Sequence, residues 1–112
     1  MLVAVMASAD MANAEAGTGF NVPSDPRASY TILSVTRGKD GHVFAISRRD
    51  GPSGTRYSRR EIDCRSMMFR YTGEGDTMAQ AKRPYPRAGT MGPLVSGSIS
   101  DVASRFACSR AR

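Results

Sequence analysis

The sequence predicts an α+β domain: an antiparallel sheet of four or five strands with a C-terminal helix packed on one face. Between residues 29 and 71, β-branched and aromatic residues alternate with period two and are interrupted by glycine-rich turn signals. Near the C-terminus Ile99, Val102, Ala103, Phe106 and Ala107 follow one apolar stripe at helical spacing. A chain of 112 residues, 40% hydrophobic and without Trp, is long enough for one domain with a modest core.

Residues 1–14 read as a truncated signal peptide. Leu2 to Ala7 is a short apolar run, and Ala12-Asn13-Ala14 fits the small-x-small pattern of a signal-peptidase site. The basic front end is missing, and on this reading the true start is expected upstream of Met1. The competing reading is a disordered Ala-rich tail on a cytosolic protein, and Asp10 lends it weight. No apolar run approaches the roughly 18 residues that cross a bilayer, and no Cys beside the cleavage site offers a lipid anchor. Residues 15–28 form a flexible lead punctuated by Pro23 and Pro26, and 29–112 form the domain.

Ser29 to Arg37 is the first expected strand. Gly38-Lys39-Asp40-Gly41 signals a turn, and His42 to Arg48 is the returning strand of a hairpin. After the loop Arg49-Asp50-Gly51-Pro52-Ser53-Gly54, Thr55 to Arg60 reads as a polar edge strand, guarded by Arg56, Arg59 and Arg60. Ile62 to Tyr71 carries apolar groups on both faces and reads as a single central strand. Thr72 to Gly92 is rich in Gly and Pro and reads as a long excursion, with a helical turn at Met78 to Ala81 and a short strand after it at Pro93-Leu94-Val95. Ser98 is the expected N-cap of the last helix, with Asp101 three residues on. Continued at 3.6 residues per turn, Cys108 falls almost opposite the apolar stripe, so the helix is expected to fray by Ala107.

Cys64 has one possible intramolecular partner, Cys108. A bond between them closes a loop of about 44 residues, for which chain entropy gives roughly 4 kcal/mol. The alternative is a pair of buried free thiols, since disulfides persist only in oxidising compartments.

The net charge is +6, and all the basic residues but Lys39 and Lys82 are arginine. That excess fits either phosphate and carboxylate recognition or a GC-rich genome. Arg48, Arg49, Arg56, Arg59 and Arg60 lie around one hairpin connection and are the anion-binding candidates; Lys82, Arg83 and Arg87 form a second cluster around Tyr85. A solvated Arg-rich face is the competing reading. Nucleic acid is disfavoured because only Tyr57 and Tyr85 stand beside the charges as stacking aromatics. The lone His42 lacks a nucleophile at a useful spacing, and one His with two distant Cys predicts no metal site. Gly51-Pro52-Ser53-Gly54 lacks the Lys and helix of a phosphate-binding loop, and Glu74 with Asp76 is at most a weak calcium pair. No enzymatic activity and no cofactor are expected.

The order of the pieces resembles the bacterial surface-adhesin protein E family of small exported proteins. The matching parts are the Tyr30 strand, the hairpin through Val43-Phe44, Ile62-Asp63-Cys64 followed by Met68-Phe69-Arg70-Tyr71, and Gly97-Ser98 before a helix ending in Cys108, together covering residues 29–108. The resemblance implies an antiparallel sheet with a packed helix, a Cys64–Cys108 bridge, and a periplasmic or extracellular location. The chain departs from the pattern in lacking the lipoprotein Cys and a Trp before Gly97-Ser98, where Tyr85 or Leu94 stands in. The expected function is a non-enzymatic exported binding module for an anionic or protein partner. The alternative is a cytosolic basic nucleic-acid-binding protein with reduced thiols.

Overall fold

Alternation of apolar and polar residues carries the chain through a continuous meander. The computed structural model describes residues 17–111. Its strands β1 (Thr18–Phe20), β2 (Ser29–Arg37), β3 (Val43–Gly51), β4 (Gly54–Asp63), β5 (Met68–Gly75) and β6 (Gly92–Pro93) lie side by side in chain order, each antiparallel to the next. Helix α1 (Met78–Lys82) lies between β5 and β6, and α2 (Ile99–Arg110) closes the chain. No helix among the described residues is long and apolar enough to cross a membrane. The signal-peptide reading of residues 1–14 lies outside the described residues.

Both faces of the sheet bury apolar groups. Val43 and Ala45 of β3 join Ile32, Ile62 and Ala107 beneath α2, while Ile46 packs on the other side with Tyr57 and Ala81 of α1. Val43 and Ile62 are fully buried, each contributing roughly 1.5–3 kcal/mol. Gly73 lets α1 lie close to β5, because a Cβ there would meet the Ala81 carbonyl oxygen at 2.3 Å.

The sheet has six strands where four or five are expected; the one without an expected counterpart is the short edge strand β1. Thr18–Phe20, in the segment read as a flexible lead, pairs with Tyr30 to Ile32 because the Phe20 ring is wedged between Tyr30 at 5.5 Å and Phe106 at 5.3 Å. At the other edge Gly92 and Pro93 pair with Phe69 and Met68, in place of the expected Pro93–Val95. Thr55 to Arg60 is not an edge: it belongs to β4, which is paired on both sides. Ile62 to Tyr71 is not one strand either. Asp63 Oδ1 accepts the backbone N–H of Arg65 at 3.0 Å and of Ser66 at 3.4 Å, a side-chain turn that ends β4 and sends the chain back as β5. The excursion shortens accordingly, since β5 runs to Gly75.

Helix α2 starts at Ser98, whose Oγ accepts the Asp101 N–H at 3.1 Å while Asp101 Oδ2 accepts the Gly97 N–H at 2.9 Å. Its buried residues are Ser100, Asp101, Ala103, Ser104 and Ala107, so the inward face is turned by about a quarter turn from the apolar stripe. Ile99, Val102 and Phe106 are only half-buried. The turn brings Cys108, four residues after Ser104, to the inward side. No fraying is needed: the helix continues to Arg110, and Cys108 is bonded to Cys64 with Cα atoms 5.9 Å apart.

Candidate functional site

The five hairpin arginines do not form one patch. All lie on β3 and β4, but the pleat divides them: Arg49, Arg56 and Arg60 share a face with Ser47, and Arg48 and Arg59 share the opposite one. Most are already engaged. Arg48 Nε donates to Asp50 Oδ2 at 2.9 Å, Arg49 Nε to Asp25 Oδ2 at 2.8 Å, and Arg56 Nη1 to Asp76 Oδ1 at 3.0 Å. Arg49 and Arg56 are direct register partners, and these carboxylates offset their mutual repulsion. Glu74 also faces Arg56, at 3.9 Å, so the suggested calcium pair serves as that arginine's counter-charge. Arg59 lies 4.6 Å from the Phe44 ring centroid and donates to Thr72 Oγ1 at 3.1 Å. Arg60 is 3% exposed and donates to Ser100 Oγ at 3.1 Å, Ser47 Oγ at 2.9 Å and Tyr71 Oη at 3.3 Å.

One member of the second basic cluster, Arg87, lines a formed groove. The Tyr85 N–H donates to the Thr72 carbonyl oxygen at 2.9 Å, drawing the chain after α1 back along β5. A groove of about 440 Å³ results, lined by Phe69, Tyr71, Tyr85, Arg70 and Arg87 among others. The Phe69 and Tyr71 rings meet edge to face at 5.5 Å. Burial and then a hydrogen bond to Glu74 push the Tyr85 hydroxyl up to about 12, keeping it neutral. Arg70 is held by Glu61 and by the Gly89 carbonyl oxygen, at 2.9 Å each. Lys82, Arg83 and Arg87 are exposed and have no carboxylate partner among the described residues.

A third constellation surrounds the only histidine. His42 Nδ1 lies 2.8 Å from Glu61 Oε2 and 3.3 Å from Asp40 Oδ2, and Nε2 lies 3.6 Å from Asp63 Oδ2. The Glu61 side chain is only 7% exposed, and Arg70 reaches its Oε1 with Nε and Nη2 at 2.9 Å each. The bond from Glu61 holds the imidazole above its ordinary value, outweighing burial. Burial pushes the Glu61 carboxyl up, but His42 and Arg70 together leave it below the usual range. One His and two distant Cys predict no metal site, yet carboxylates remote in sequence join the His in the fold. The β3–β4 register puts Glu61 opposite Phe44 and Ile62 opposite Val43, delivering two carboxylates of Glu61-Ile62-Asp63 beside the turn that carries Asp40 and His42. The pattern Asp40-x-His42 against Glu61-x-Asp63 is the sequence signal for this grouping, and it acquires meaning only once the register is known.

No family model, curated protein or solved structure matches the chain.

Proposed function

We propose that the chain is an exported, non-enzymatic binding domain for an acidic glycan, held in the β5 groove rather than at the arginine-rich hairpin. The observation that carries this reading is the pairing of the cations. Carboxylates already occupy Arg48, Arg49 and Arg56, whereas Lys82, Arg83 and Arg87 are exposed without a carboxylate partner among the described residues, and Arg87 lines the groove with Phe69, Tyr71 and Tyr85. Aromatic walls suit the C–H faces of sugar rings, and a guanidinium fork suits their carboxylates or sulfates. Export is supported by the Cys64–Cys108 bridge, which persists in an oxidising compartment.

The experiment is calorimetric titration of the disulfide-bonded protein with a heparin-derived tetrasaccharide and, separately, a single-stranded oligonucleotide, at two salt concentrations. The triple variant Lys82→Gln, Arg83→Gln, Arg87→Gln is expected to weaken glycan binding by about tenfold and flatten its salt dependence. Arg56→Gln is expected to leave it unchanged. Unaltered binding by the triple variant, or a preference for the oligonucleotide, would sink the proposal, and the second result would return the nucleic-acid alternative to first place.

A further inference from the structure

We propose that Asp40, His42 and Glu61 form a site for one divalent ion of the zinc class, with Oδ2 of Asp40, Nδ1 of His42 and Oε2 of Glu61 as the protein ligands. A neutral imidazole nitrogen with two carboxylate oxygens is a donor set that suits such ions. The three ligand atoms lie within 4.8 Å of one another. Around a tetrahedral zinc ion, ligand atoms stand roughly 3.3 Å apart. Of the distances from Nδ1, that to Asp40, 3.3 Å, matches that value, and that to Glu61, 2.8 Å, is shorter by a margin that a small side-chain shift closes.

Two oxygens converge on one ring nitrogen, and a nitrogen carries one hydrogen, which serves only one of them well. A metal ion at the same point satisfies all three atoms. The surrounding groups match what such an ion requires. Asp63 Oδ2 lies 3.6 Å from His42 Nε2, the place where a metal-bound imidazole presents its remaining N–H to a carboxylate. Arg70 grips Glu61 through Oε1, leaving Oε2 to face His42 and fixing the buried carboxylate's orientation. A cavity of about 390 Å³ lined by Asp40, His42 and Asp63 gives an entry path and room for water ligands. Arg37 and Arg65 also line that cavity, and Arg37 is turned to the Gly41 and Ala111 carbonyl oxygens at 3.2 and 3.0 Å. The site shares only Arg70 with the glycan groove, so either proposal stands without the other.

His42 is the sole histidine, so its ring protons are a single reporter in a proton NMR spectrum. The tag-free, disulfide-bonded protein is titrated with zinc chloride at pH 7.5, followed by NMR and calorimetry. Expected is one saturable site per chain, with both imidazole C–H resonances shifting in step with the heat. His42→Gln and Asp40→Asn should each weaken binding by about tenfold or more. Asp40→Asn keeps an Oδ1 to accept the His42 backbone N–H, which now bonds Asp40 at 3.0 Å, so the turn survives and this variant decides the matter if His42→Gln fails to fold. Imidazole resonances that do not move on adding zinc, or zinc affinity unchanged in Asp40→Asn, would overturn the proposal.

Discussion

Arg60 of β4 donates through Nε to Ser100 Oγ of α2, 3.1 Å away and forty residues on, on the face by which the helix meets the sheet. The guanidinium is buried among hydroxyls, with no carboxylate partner among the described residues, and Ser100 Oγ also lies 2.9 Å from Tyr71 Oη. Ser100→Ala removes one acceptor from a buried cation and is expected to cost about 1.5–3 kcal/mol. Ser104, one turn on, is fully buried and its hydroxyl has no hydrogen-bond partner. Ser104→Ala is therefore expected to be neutral or stabilising by up to about 1 kcal/mol. Urea denaturation of both variants is the check. Equal destabilisation by the two would mean that packing, not the hydroxyl network, governs this face.

The Cys64–Cys108 bridge joins the turn after β4 to the last turn of α2 across a sequence separation of 44. Its removal frees the unfolded chain, at an expected cost of about 2–4 kcal/mol. Intact mass with and without reductant establishes the bond, and urea unfolding under both conditions measures its contribution. The reduced protein should still fold, because Phe106 and Ala107 remain packed on Ile32, Val43 and Ile62. A reduced protein whose urea midpoint equals that of the oxidised one would refute the claim that the bridge stabilises the fold.

The meander was legible where local chemistry decides it. Gly38-Lys39-Asp40-Gly41 marks the β2–β3 turn, the alternation in Val43 to Ile46 gives β3, and Ser98 with Asp101 marks the start of α2. Two cysteines allowed either a bridge or two free thiols, and the structure has the bridge. What was not legible depends on long-range contacts. A helix face containing Ser100 and Ser104 looks outward by composition, but it carries the partner of the buried Arg60 and lies on the side of the bridge to Cys64. The hairpin arginines looked like one patch because sequence proximity hides the pleat, which sends Arg48 and Arg49 to opposite faces. The carboxylates around His42 needed the β3–β4 register. Likewise β1 is fixed by Phe20 stacking on residues far along the chain rather than by its own propensity.

The trio Asp25, Tyr30 and Arg49 gives stability a pH window with a definite sign at each end. Tyr30 donates its hydroxyl hydrogen to Asp25 Oδ2, and Arg49 Nε reaches both, at 2.8 Å to Asp25 and 3.1 Å to Tyr30. The bond from Arg49, and then that from Tyr30, hold the Asp25 carboxyl below its ordinary value of 3.8. A depressed carboxyl contributes stability above the unfolded-state value and loses it as pH falls through the folded-state one, so this share disappears below about pH 4. Burial, and then the bond to Asp25, push Tyr30 up to about 12. A raised phenol contributes fully below about pH 10 and loses its share as pH climbs toward its folded-state value. Thermal melts from pH 2 to pH 11 should show a plateau with a falling limb on either side. Asp25→Asn should flatten part of the acid limb, and Tyr30→Phe part of the alkaline one. If each variant only lowers the whole curve and leaves both limbs as steep as before, the trio stabilises the fold by packing and its ionisation contributes nothing.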